Sequence, residues 1–297
     1  MHVGIVHHMA YPKLMSGRGP LLETLGELCE DDYFQAVEVT WYYDEEVRKE
    51  AVALAQLTGK RVIFNAQPLI IRRGLDLHHD DPHERTRALD WMKKALAQAT
   101  EWKAEAFLVM SGSDPGEAKR SSAREQFVGA LKELCEASRV QGGPPILLEN
   151  YDRWPQGRNC LIGPTSEARS VVHQVISYFR RFGLALDLGH LPLLDEDPAS
   201  AVQVAGPYLR YVHLGNCVKS DPEHPAFGDE HPSFATAGGA NTLDDLALFL
   251  RALLEAGYLH RNGRNIVAFE IKPHGEETPR DVQEDAKRAL DAAWKRL

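Results

Sequence analysis

Four short apolar runs in this chain each end in a side chain that can bind a hard or borderline metal ion. FGLALDLGH (182–190) delivers Asp187 and then His190. ILLEN (146–150) delivers Glu149, YVHLGN (211–216) delivers His213, and NIVAFEIKP (265–273) delivers Glu270. Such runs read as strands buried on both faces that run out into loops. Three carboxylates and one imidazole make an oxygen-rich site for one divalent ion, Mn²⁺ foremost, with Mg²⁺, Co²⁺ or Zn²⁺ also suited. Without a cation, three buried carboxylates repel one another severely unless some are protonated, which is the physical ground for expecting a metal. Taken singly, each acid reads as a helix cap or loop anchor, and His213 as a satisfied core histidine. Four in a row at strand ends argue against that.

Side chains so far apart in sequence need a scaffold that gathers them. A strand-then-helix rhythm repeats along the chain. Strands are predicted at 2–8, 36–41, 61–67, 106–112, 146–150, 182–190, 211–216 and 265–273. Helices are predicted at 21–30, 44–59, 84–103, 117–139, 165–179, 197–209, 242–259 and from 278 onward. Gly59 should stop one helix, Asp197 with Pro198 should start another, and a Ser/Thr-x-x-Glu-like start is read at Thr165. Segments 68–83 and 217–241 are read as polar loops. Uninterrupted alternation argues for a parallel sheet, and eight repeats in 297 residues favour one (β/α)8 TIM barrel over an open sheet. No Gly-rich dinucleotide loop follows the first strand, and a single domain is expected. In such a barrel the active site lies at the C-terminal ends of the strands, so Glu149, Asp187, His213 and Glu270 should converge.

Bulk properties fit a soluble globular enzyme: 43% hydrophobic and 26% charged residues. The formal net charge of -9 opposes binding to a phosphate backbone, so no nucleic-acid partner is expected. No signal-peptide pattern and no membrane-length apolar run is read, and the expectation is a cytoplasmic protein without membrane association. Cys29, Cys135, Cys160 and Cys217 form no CxxC, so neither a disulfide framework nor a zinc knuckle is expected.

With these motifs in place, the whole chain resembles the xylose isomerase-like barrels: sugar-phosphate isomerase/epimerases, ketose 3-epimerases, hydroxypyruvate isomerases and apurinic endonucleases. ILLEN, LALDLGH, YVHLGN and VAFEIKP look like that family's Glu, Asp-x-x-His, His and Glu motifs. The resemblance implies that Glu149, Asp187, His213 and Glu270 hold the metal and that His190 contacts substrate oxygens. Asp229 and His231 resemble the Asp-x-His of a further metal site in the endonuclease branch, and as loop residues they could equally gate substrate. Thr40-Trp41, Asn65-Ala66-Gln67 and Ser111-Gly112-Ser113 stand where the endonucleases place histidines, so a trinuclear phosphodiesterase site is incomplete.

The resemblance therefore implies proton transfer at the carbon next to a ketose carbonyl through a metal-stabilised enediolate, with Glu149 and Glu270 as the two acid–base residues. The alternative is a C-glycoside deglycosidase subunit that eliminates the aglycone of a 3-keto C-glycoside. An apurinic endonuclease-like activity and a non-catalytic sugar-binding barrel rank below both. Substrate contacts are expected from His190, Lys219, Asp229, His231, His8, Trp41 and Gln67. Lys219 stands near the position where sugar epimerases often carry an Arg, and Trp41 offers a face for stacking on a sugar. The partner is a small sugar or keto-sugar. A homo-oligomer is expected, or a hetero-oligomer with a small β subunit if the lyase reading holds.

Overall fold

A computed structural model describes residues 1–297. Eight parallel strands close into a barrel in sequence order. They are β1 (His2–Val6), β2 (Ala36–Thr40), β3 (Arg61–Asn65), β4 (Ala106–Val109), β5 (Ile146–Glu149), β6 (Gly183–Asp187), β7 (Leu209–Gly215) and β8 (Ile266–Glu270). β1 closes on β8 with His2 opposite Ile266 and Ile5 opposite Phe269. Asp187 of β6 pairs in register with His213 of β7, and Glu270 of β8 pairs with Gly215, two residues further along β7.

Ten α-helices surround and extend the strands: α1 (His7–Ala10), α2 (Leu21–Glu30), α3 (Glu45–Thr58), α4 (Gln67–Arg73), α5 (Pro82–Glu101), α6 (Glu117–Gln141), α7 (Thr165–Ile176), α8 (Pro198–Ala205), α9 (Leu243–Glu255) and α10 (Pro279–Trp294). Their ends are set by local chemistry. Asp44 caps α3 through the Val47 N–H, and Gly59 ends it in the left-handed region at φ 71°. Asp197 caps α8 with Pro198 in its first turn, as expected. Capping boxes start α9 (Thr242, Asp245) and α10 (Thr278, Asp281). At α7 the expected Ser/Thr cap is absent. Thr165 lies inside the helix, and its hydroxyl donates to Glu196 instead.

Two further departures concern loops. The predicted first strand stops at Val6, and His7 and His8 start α1. The segment read as a polar loop after β3 begins with α4, where Pro68 sits in the first turn and Gly74 ends the helix at φ 56°. Both helices tuck against the barrel mouth and supply residues to it.

Inside the barrel, small and large residues alternate around the ring. Gly4 leaves room for its neighbours: a Cβ there would lie 3.2 Å from those of both Ala36 and Ala268. Ile63, Leu147, Tyr211 and Ile266 fill the remaining space with Ala106 and Ala185. The larger apolar cluster lies between the strands and the helices. No helix is long and apolar enough to cross a membrane.

Candidate active site at the C-terminal mouth

The barrel register brings five carboxylates and three imidazoles together at the C-terminal ends of β2, β5, β6, β7 and β8 and in the loop after β7. Glu38, Glu149, Asp187, His190, His213, His231 and Glu270 are all buried. His213 Nδ1 lies 3.2 Å from Glu149 Oε1 and 2.8 Å from Glu270 Oε2. These three form one group able to hold a metal ion, and Asp187, His190 and His231 form a second. The groups adjoin: His190 Nδ1 is 3.7 Å from Glu149 Oε1, and His231 Nε2 is 3.9 Å from Glu270 Oε1. Asp229 Oδ1 lies 2.8 Å from His231 Nε2 and 3.2 Å from His190 Nε2.

Hydrogen bonds fix which imidazole nitrogens face the cluster. His213 donates from Nε2 to Glu38 Oε2 at 2.8 Å, which turns Nδ1, the nitrogen a metal would take, toward Glu149 and Glu270. His190 donates from Nδ1 to the carbonyl of Asn150 at 3.0 Å, which leaves Nε2 toward Asp187 and Asp229. A carboxylate or carbonyl behind each ring is the arrangement that orients a metal-binding histidine.

The electrostatics follow from burial and crowding. Burial pushes the Glu149 carboxyl up, beyond what His213 takes back. Burial also acts on Glu270, but His213 and His231 outweigh it and hold that carboxyl below its ordinary range. Burial would lower His190 and His213, yet the surrounding carboxylates raise both well above the usual imidazole value. His231 opposes burial in the same way and is pushed up to about 9 by Glu270 and Asp229.

A divalent cation fits this donor set. Asp187 Oδ2, His190 Nε2, Asp229 Oδ1, His231 Nδ1 and Glu270 Oε2 are buried and crowd one another without a well-aligned hydrogen bond. Buried polar atoms are normally satisfied, so five orphans in one cluster call for a shared partner. With all five carboxylates ionised, even three protonated imidazoles and Arg158 set against Asp229 (3.3 Å) leave one negative charge in excess.

Above the cluster opens a cavity of about 130 Å³. Its lining mixes the polar groups of His8, Gln67, Tyr151, Asp229, His231 and Glu270 and the cations Arg72, Arg158 and Lys272 with the apolar Met9, Met15, Pro68 and Ile71. Gln67 starts α4 and donates to Glu149 Oε2 at 2.6 Å, and Tyr151 donates to Gln67 Oε1 at 2.7 Å. Asn65 donates both to Glu38 Oε1 (2.6 Å) and to Gln67 Oε1 (2.9 Å). Glu149, Gln67, Asn65, Glu38 and His213 thus form a closed ring of contacts. Asp152 anchors the following loop by accepting from the N–H groups of Trp154, Arg158 and Asn159, which sets Arg158 beside Asp229.

Three of the expected substrate contacts do not line this cavity: His190 is buried within the cluster, and Lys219 and Trp41 lie elsewhere. Lys219 donates to the carbonyl of Pro192 and to Asp195 Oδ1 at 2.5 Å, so its charge is spent on the turn after β6. Trp41 packs edge-on against Tyr43 and Trp91, each 5.7 Å away between centroids, and does not line the cavity. Glu149 also lies below the cavity surface, beneath Gln67, while Glu270 reaches it. Glu38, Tyr151 and Arg158 are the residues that sequence reading passed over. The one usable signal was a lone acid inside the apolar strand AVEVT.

A closed parallel barrel with acids and imidazoles gathered at its C-terminal mouth defines the class of this protein. The chain belongs to the xylose isomerase-like TIM barrel family, whose model matches residues 27–293. No curated protein matches it by sequence. Among solved structures it is similar to a D-tagatose 3-epimerase-like protein (18% identity, TM-score 0.74, covering 100% of this chain and 99% of that one). It is similar to the IolI protein with a binding zinc atom (16%, TM-score 0.73, 100% and 99%). A third is the 3-keto-D-glucoside 4-epimerase YcjR from E. coli (14%, TM-score 0.65, 98% and 99%). At these identities the likeness is one of fold.

Proposed function

We propose that the chain is a divalent-metal-dependent sugar isomerase or epimerase that moves a proton at the carbon beside a ketose carbonyl. The observation that carries this reading is the pair Glu149 and Glu270 on either side of His213 Nδ1, in a cluster with five unsatisfied buried polar atoms. Glu149, Asp187, His213 and Glu270 would hold the ion, Mn²⁺ in the first place. When bound, it would supply Lewis-acid stabilisation of the negative charge that develops on the ketone oxygen.

The chain's own residues do the rest. Glu270, at the cavity surface, takes the proton from the substrate carbon. Glu149, held by Gln67, is the second carboxyl of the pair, and each can return what the other removes. His190, with Nε2 directed into the cluster, and His231 are set to meet the sugar's oxygens, and His8 and Gln67 border the same space. Sugar and keto-sugar epimerases among the similar folds support this substrate class. A homo-oligomer is part of the proposal.

The apolar residues in the cavity lining, Met9, Met15, Pro68 and Ile71, favour one second reading. A glycoside with an apolar carbon-linked aglycone would use that wall, and the same proton abstraction would then lead to elimination. Incubation in D₂O with Mn²⁺ separates the two. Deuterium next to the carbonyl of a ketose supports the isomerase/epimerase, and release of an aglycone from a 3-keto C-glycoside supports the lyase. If neither happens with any ketose or keto-glycoside tried, both readings fail.

A further inference from the structure

The opposite mouth of the barrel carries charge of the other sign. A cavity of about 350 Å³ opens there, lined by Arg61, Arg180, Arg181 and Arg210 against the single carboxylate of Glu105. Its wall comes from the starts of β3, β4, β5, β7 and β8 and from the residues just before β6. This lies in a chain whose formal net charge is -9. Arg61 and Glu105 form a two-pronged ion pair and neutralise each other. The other three arginines have no carboxylate partner, so the mouth keeps a net positive charge.

All three are exposed, and two of them are tethered by hydrogen bonds to backbone carbonyls. The stem of Arg210 crosses Gly183, where an added Cβ would lie 2.5 Å from Arg210 Cγ and 2.9 Å from the Tyr208 carbonyl. Arg210 Nη1 donates to the carbonyls of Pro207 (2.6 Å) and Leu209 (3.0 Å), and Arg181 Nη1 donates to that of Gly143 at 3.3 Å. A guanidinium has five N–H donors, so one prong fixes each fork and the remaining donors stay free. Forks held in this way match phosphate oxygens two at a time and lose little freedom on binding. A second cavity of about 170 Å³ shares Arg180, Arg181 and Pro145 and adds Tyr178, Phe179 and Phe182. Cationic and aromatic surfaces therefore adjoin.

We infer that this N-terminal mouth binds a small molecule bearing a phosphate chain, with Arg180, Arg181 and Arg210 taking the phosphate oxygens. The space is in the ~300–1,000 Å³ range of small-molecule pockets. It is separated from the acid–imidazole cluster by the filled interior of the barrel. The aromatic cavity beside it would take a ring attached to that chain, so a nucleoside diphosphate and inorganic diphosphate share the site.

Calorimetric titration of the metal-loaded chain at about 0.15 M salt, where only close contacts escape screening, tests this. Inorganic pyrophosphate and ADP are the probes. Saturable one-to-one binding is expected, weakened about tenfold or more by Arg180→Ala, as the loss of one two-pronged charged contact would do. Arg180 makes no hydrogen bond or ion pair within the chain, so this variant leaves the fold untouched. Arg210→Ala should deepen the loss. Asp187→Asn, at the other mouth, should leave the binding unchanged, which separates it from chelation at the metal. Tighter binding of ADP than of pyrophosphate would show the aromatic cavity in use. Absence of saturable heat, equal affinity in Arg180→Ala, or loss of binding in Asp187→Asn would overturn the inference.

Discussion

Glu38→Gln is the most informative single change, because Glu38 touches no substrate and yet governs His213. The carboxylate is fully buried and accepts from Asn65 Nδ2 at 2.6 Å through Oε1 and from His213 Nε2 at 2.8 Å through Oε2. An amide keeps one acceptor and gains a donor, so one of these bonds must fail. If the amide nitrogen faces His213, the ring must move its proton to Nδ1, and the lone pair between Glu149 and Glu270 is lost. Outer-sphere partners of this kind typically account for ~10–100-fold in metal affinity. If it faces Asn65 instead, two donors meet in a buried place, at a cost of about 1–3 kcal/mol in stability. The assay is metal titration by calorimetry paired with thermal unfolding of the metal-free chain. The reasoning predicts that one of the two falls within those ranges. Wild-type metal affinity together with wild-type stability would refute it, and Glu38 would then be a bystander.

Other expectations follow from the same geometry. Glu270→Gln and Glu149→Gln should each lower solvent exchange at the ketose carbon by ~10²–10⁴-fold, and full exchange with metal bound would remove the two-carboxyl assignment. Gly215→Ala would place a Cβ 2.7 Å from Asp187 Oδ1 and 3.0 Å from His231 Nδ1, so metal affinity should drop although every ligand is retained. All four cysteines are buried, and burial pushes the Cys135 thiol up to about 12. An aromatic disulfide reagent at pH 8 should therefore find no reactive thiol until the chain is unfolded. His7 is buried, shares a hydrogen bond with Thr24 Oγ1 at 2.8 Å, and has its pKa lowered to about 3, first by burial and then by His8. The unfolded chain binds this proton near pH 6.5, so His7 supports folding above that value. Its contribution is lost as the pH falls from there toward 3, and a His7→Gln variant should show a flatter acid limb in stability measurements.

The barrel and the polar residues at its strand ends were legible because each depends on local pattern. A strand buried on both faces is uniformly apolar, and a polar residue at its end stands out, as Asp187, His213 and Glu270 do. Glu38 was hidden by the same logic. It lies two residues before the end of β2, pointing inward, and nothing local shows that its partners are on β3 and β7. Lys219 was misplaced because distance along the chain stood in for distance in space, and the loop turns it toward Asp195. Helix α4 escaped because its seven residues are too few to show a period, although Pro68 and Gly74 mark its two ends.

The ring that joins Glu149, Gln67, Asn65, Glu38 and His213 draws on β2, β3, β5 and β7 and on the start of α4. No member can be exchanged without breaking at least one bond of the ring, so single steps at the floor carry a cost that paired substitutions can offset. Divergence in what such a barrel turns over must then arise at its edge, where Met9, Met15 and Ile71 offer side chains that make no hydrogen bond a substitution would break.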